Sequence, residues 1–168
     1  MTIQRIAELE TTMKRRIALL PIRFRPFVRY RETLPRTTML AGPRRVGKTT
    51  LLLYHAQKFF ETHRERLLYF SADNPTLGSE GLYEIASSIF LAGYSGVIID
   101  EVHFAKDWSI HLKALYDDFP EHTLWISDSS SILKLVQSIP RTTHSIQVNN
   151  CPSNHPRVFF LPSGPTGA

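Results

Sequence analysis

The chain has 168 residues, 42% of them hydrophobic and 21% charged, with a formal net charge of +5. That length suits one ordinary domain, and the composition is that of a globular chain and excludes a disordered one. The lone Cys151 excludes an internal disulfide framework, the seven histidines show no zinc spacing, and Ile17 to Ile22 is too short for a signal or membrane segment, so a cytoplasmic protein with no membrane association is expected.

The charge is unevenly placed. Residues 1–36 hold nine Lys/Arg against three Glu, a net of +6, which leaves 11 basic and 12 acidic residues in the remainder. Within this basic segment Ile3, Ile6, Met13, Ile17 and Leu20 recur at roughly helical spacing until Pro21 stops the pattern, which predicts a helix over 2–20. The following "RFRPFVRYR", Arg23 to Arg31, alternates arginine with Phe24, Phe27 and Tyr30. Two readings stand side by side there: stacking on nucleic acid, or an extended lead-in that packs its aromatics on the domain.

Residues 37–138 read as the core. "TTML" (Thr37 to Leu40) is a β-prone strand leading into a glycine loop, and Leu52, Leu53, Ala56, Phe59 and Phe60 then mark the buried face of a helix. "LLYFS" (Leu67 to Ser71) is a second strand, and Leu82, Ile85, Ala86, Ile89 and Phe90 line the next helix. "VIID" (Val97 to Asp100) is a continuous apolar strand of the kind buried on both faces of a parallel sheet. Trp108, Leu112, Leu115 and Phe119 predict another helix, and "TLWIS" (Thr123 to Ser127) a fourth strand. Strands alternating with helices imply βαβ units, hence an α/β fold with a parallel sheet covered on both sides. Over 139–168 five prolines fall in the last 29 residues and periodicity disappears; only "SIQV" (Ser145 to Val148) resembles a strand, and a disordered tail is expected.

"AGPRRVGKTT", residues 41–50, satisfies G-x-x-x-x-G-K-[ST] through Gly42, Gly47, Lys48 and Thr49. A glycine-rich turn lets backbone N–H groups converge on a polyphosphate, and the positive end of the following helix adds to the attraction. The expected cradle is Gly42, Pro43, Arg44, Arg45, Val46, Gly47, Lys48, Thr49 and Thr50, with Lys48 on the β and γ phosphates of ATP and the Thr49 hydroxyl on Mg²⁺. The complementary carboxylates come from "VIIDE": Asp100 for the metal side, Glu101 as base for the attacking water. Asp100 to His103 also reads as D-E-x-H, the second motif of a helicase class, although Val46 stands where those proteins carry glycine. His103 is better read as a polar tie between the Glu101 loop and its neighbours. Ser127, Asp128 and Ser129 end the fourth strand and are candidates to sense the γ-phosphate, Ser129 first; capping of the next helix is the competing role for that serine.

"GPRRVGKTTLLL", "YFSAD", "VIIDEVHFAKDWSIHLKALYDDFP" and "WISDSSSILKL", taken together over about residues 22–138, resemble the prokaryotic AAA+ family of predicted ATP-binding proteins. The resemblance implies a three-layer P-loop NTPase core of the ASCE type with strand order 5-1-4-3-2. It places Walker A at Gly42 to Thr49, Walker B at Asp100 and Glu101, and sensor 1 at Ser129. Family members usually read Gly-Ser-Ser where this chain has Asp128-Ser129-Ser130. The fifth strand, helical lid and arginine-bearing portion of the family are not recognisable after residue 138. The expectation is therefore a truncated member, its frame shifted near residue 139, that binds ATP with Mg²⁺ and hydrolyses it weakly or not at all. The alternatives are a non-catalytic, nucleotide-dependent interaction module with a basic nucleic-acid-binding arm, and a helicase remnant. A protein partner or a second copy of the chain is left open.

Overall fold

The computed structural model describes residues 2–21 and 34–129, together with the backbone of residues 147–148 and 157–160. The first helix, α1 (Ile3–Ala18), starts at Thr2, whose hydroxyl accepts the Arg5 N–H, and has Arg15 and Arg16 in its last turn, where positive charge suits the carbonyl end of the helix dipole. It buries Leu9 and Met13. Its basic residues have structural work: Arg5 Nη1 lies 2.6 Å from Glu80, and the Arg16 guanidinium sits 4.8 Å above the Tyr69 ring. Arg36 Nη1 donates to the carbonyls of Phe119 and His122 at 3.1 and 3.0 Å. Arg23, Arg25, Arg29 and Arg31 lie outside the described residues, and with them the stacking segment of the arm.

The core alternates as the sequence leads one to expect: β1 (Thr37–Ala41), α2 (Lys48–His63), β2 (Leu67–Ser71), α3 (Leu82–Leu91), β3 (Gly96–Asp100), α4 (Trp108–Asp118) and β4 (Thr123–Asp128). These four strands run parallel in the order β2-β3-β4-β1. A right-handed crossover from β1 to the far edge at β2 puts α2 on one face, and the two return crossovers put α3 and α4 on the other. In agreement, α1 packs on β2 and α2, while α3 packs on α4. Val97, Ile98 and Ile99 are wholly buried, so β3 is covered on both sides.

Beyond residue 138 two short strands are described. Arg157–Phe160 forms β6, antiparallel to β1, and Gln147–Val148, inside the "SIQV" stretch, forms β5 beside it. The physical reason is the open flank of β1: its unpaired N–H and C=O groups are a template for any extended segment, and the β-prone "RVFF" supplies one. An antiparallel strand thus stands next to β1, where the family resemblance implies a fifth one.

Two stability predictions arise from this packing. A Cβ built on Gly96 would lie 2.3 Å from the Thr123 carbonyl oxygen and 2.6 Å from the Thr123 Cβ, and neither backbone can yield without disturbing the β3–β4 ladder. Gly96→Ala is therefore expected to cost about 1–3 kcal/mol, read as a lower urea midpoint. Tyr94 is buried, and its hydroxyl donates to Glu10 of α1; burial first, and that hydrogen bond second, push its pKa up to about 12. Because the folded value lies above the ordinary 10.0, the stabilisation is fully present below pH 10 and is lost as pH rises through about 12. Urea midpoints taken across that window should fall less in Tyr94→Phe than in the parent chain.

Candidate functional site

The strand register collects the polar ends of the sheet in one row. Ser71 pairs with Asp100 across β2 and β3, and Ala41 with Asp128 across β1 and β4. All these positions sit at carboxyl ends, the edge at which open α/β sheets bind their ligands. The loop from Gly42 to Gly47 leaves β1 at this edge and opens α2.

Gly47 supports α2 with φ +89° and ψ +21°, a left-handed conformation that a Cβ would strain, so the second glycine of the motif is a requirement of the turn. Arg45 also adopts a positive φ of 65°. Pro43, Arg44 and Arg45 are exposed, Val46, Gly47, Thr49 and Thr50 are half-buried, and Gly42 and Lys48 are buried. Lys48 curls beneath the loop, its ammonium donating to the carbonyls of Gly42 at 2.9 Å and Pro43 at 2.8 Å. Burial lowers the Lys48 pKa, and Arg44 adds to that, while Glu101, Asp100 and Asp128 oppose it by stabilising the cation.

Asp100 is the hub of the site. Its Oδ2 accepts hydrogen bonds from the Thr49 hydroxyl at 2.8 Å and the Tyr69 hydroxyl at 2.9 Å, and its Oδ1 accepts one from Ser127. Burial, and after it the adjoining Asp100 charge, push the Tyr69 hydroxyl's pKa well up, so Tyr69 acts as a donor. An alcohol and a carboxylate in hydrogen-bond contact are hard oxygen donors, the ligand chemistry that Mg²⁺ prefers, and Thr49 and Asp100 fit that ion.

Glu101 follows Asp100 with φ 50° and ψ 45°. A left-handed glutamate costs roughly 1–2 kcal/mol, and backbone strain of this kind gathers at functional positions. The turn brings its carboxylate back over β4, where Oε2 accepts the Ser129 hydroxyl. Arg44 Nε stands 3.5 Å from the same hydroxyl. His103, in the short 3₁₀ turn Val102–Phe104, places Nδ1 2.7 Å from Asp128 Oδ1 and 3.5 Å from Glu101 Oε2. The closer contact is ionic in distance but misses the direction of an N–H···O hydrogen bond.

The residues singled out in the sequence thus come together: the loop with Lys48 and Thr49, Asp100 against Thr49, and Glu101 against Ser129. Asp128, the departure from Gly-Ser-Ser, is wholly buried and turned toward His103. Sequence reasoning missed Tyr69. The signal was present in "LLYFS", because a phenol in the middle of a buried strand needs a partner for its hydroxyl.

A family model described as "AAA domain" matches residues 35–150. The chain is also 37% identical over 109 residues to an uncharacterized protein of Methanocaldococcus jannaschii, MJ1637; the match covers 60% of this chain and 22% of that relative's length. Among the described residues, no helix is long and apolar enough to cross a membrane.

Proposed function

Because the chain belongs to the AAA-domain family of P-loop proteins, we propose that it binds ATP with Mg²⁺ at the carboxyl ends of β1, β3 and β4, and turns the nucleotide over slowly. Membership of the family implies the nucleotide; the metal, the residue roles and the hydrolysis are this proposal's own. The observation that carries it is the contact between the Thr49 hydroxyl and Asp100, which joins the glycine loop to the acidic strand end at 2.8 Å.

In this reading the backbone amides from about Val46 to Thr50 receive the phosphates at the N-terminus of α2, where the helix dipole adds a favourable field. Lys48 exchanges its two loop carbonyls for phosphate oxygens, stronger acceptors that carry full charge. Thr49 and Asp100 would hold Mg²⁺, which would neutralise phosphate charge. Tyr69 and Ser127 keep the Asp100 carboxylate aimed at Thr49. Glu101 orients water and takes its proton, and Ser129 positions Glu101 from β4. Glu101 Oε2 already accepts the Ser129 hydroxyl and lies 3.5 Å from His103, so it must loosen these contacts to reach water. Unaided turnover is slow for that reason, and a guanidinium brought to the γ-phosphate would speed it.

Equilibrium dialysis against labelled ATP tests the proposal: retention that rises with added Mg²⁺ is expected. A folded chain that retains no ATP would end this reading.

A further inference from the structure

Beside the Thr49–Asp100 pair lies a second group of ligating atoms. One carboxylate oxygen of Glu101, one of Asp128 and one imidazole nitrogen of His103 all lie within 4.8 Å of one another. His103 Nδ1 is the middle member, 2.7 Å from Asp128 Oδ1 and 3.5 Å from Glu101 Oε2. First-row divalent ions bind carboxylate oxygen and imidazole nitrogen at about 2.0–2.2 Å, which separates neighbouring ligand atoms by roughly 3–3.5 Å. The two spacings from Nδ1 bracket that range, and the two carboxylate oxygens lie within 4.8 Å of each other, so a cation would enter by drawing the carboxylates inward.

The chemistry of the surroundings points the same way. Nδ1 is closed to solvent and makes no directed hydrogen bond, although it faces two carboxylates. Asp128 is wholly buried at the end of β4, and the flanking Val102 is wholly buried as well, so one wall of the group is rigid. The Phe104 ring lies 4.4 Å from the imidazole and restrains its plane. The Ser129 hydroxyl orients Glu101 Oε2 from outside the group, as outer partners do for metal-bound carboxylates. One imidazole among carboxylates selects later d-block ions such as zinc or cobalt over magnesium, whose preference is for oxygen alone.

We propose that Glu101, His103 and Asp128 form a binding site for a divalent transition-metal ion, separate from the Mg²⁺ position at Thr49 and Asp100. Occupation ties down the Glu101 carboxylate, which then cannot take a proton from water. The site is an inhibitory one; that consequence, unlike binding itself, rests on the role given to Glu101 above.

Cobalt(II) is the probe for binding, with no nucleotide present. Titration of the full chain should produce one equivalent of visible cobalt absorption, displaced by zinc. His103→Ala and the milder His103→Gln should each weaken it at least about tenfold, whereas Thr49→Ala should leave it in place. No absorption in folded wild-type chain, or equal absorption in a folded His103 variant, overturns the site. The second arm measures phosphate release from Mg·ATP with and without zinc. Zinc should suppress release in the wild type and leave the ratio near one in the His103 variants. Cobalt binding without zinc suppression keeps the site but overturns the inhibition. A chain that releases no phosphate under any condition refutes the turnover proposed above and the inhibition with it, while the cobalt result still decides the site.

Discussion

Lys48→Ala is expected to weaken retention of Mg·ATP by roughly 30-fold or more while leaving the chain folded. Removing one member of a desolvated charge pair costs about 2–5 kcal/mol, and each 1.4 kcal/mol is a factor of ten in affinity. The ammonium is buried within the field of Asp100, Glu101 and Asp128. Those three carboxylates disfavour a polyphosphate, and Lys48 is the cation set between them and the loop. Its loss leaves the anion facing like charge. The effect on the fold is smaller, because the bonds given up are those to the Gly42 and Pro43 carbonyls and the cation is already penalised by burial. Parallel urea denaturation and dialysis separate the two outcomes. A stable variant with unchanged retention would remove Lys48 from the site.

Glu101→Gln should have the opposite signature: ATP retained, phosphate release reduced by about 10²–10⁴-fold, the usual contribution of a positioned base. The amide oxygen of glutamine still accepts the Ser129 hydroxyl, so the turn and its left-handed backbone are kept. What disappears is the ability to take a proton. Single-turnover release from preloaded chain is the suitable measurement, since it leaves binding out. Phosphate release equal to that of the parent would mean that Glu101 is a structural carboxylate. If retention also fell, the glutamate charge would be serving the cradle in place of the chemistry.

The metal group and the proposed base share Glu101, and this makes the two experiments informative about each other. Glutamine is a poor ligand for zinc or cobalt, so Glu101→Gln should lose cobalt absorption along with turnover. A His103 variant should lose only the former together with the zinc response. The buried pairing of His103 with Asp128 also gives a physical role to the residue that departs from Gly-Ser-Ser. Its charge also acts on Lys48, where it favours the cation.

Much of the molecule was legible in the chain itself. Elements of the core could be placed because each carries its own periodicity: apolar runs at "LLYFS" and "VIID" for strands buried on both faces, and i, i+3, i+4 stripes for α2 and α3. The loop was legible because its glycines, lysine and threonine are contiguous, and local backbone geometry decides where their groups point. The acidic pair was legible because it directly follows a strand whose other residues are all apolar.

What only the tertiary structure decided involves residues far apart in sequence whose meeting depends on strand order and register. Tyr69 reaches Asp100 because β2 lies beside β3 in a register that aligns Ser71 with Asp100. His103 meets Asp128 because a left-handed Glu101 turns the chain back over the end of β4. Pairing of the distant "RVFF" with β1 depends on an unfilled sheet edge, which no local pattern records. Sequence determines what each segment prefers, through side-chain period and turn chemistry; the packing of the sheet decides which polar groups share one buried place.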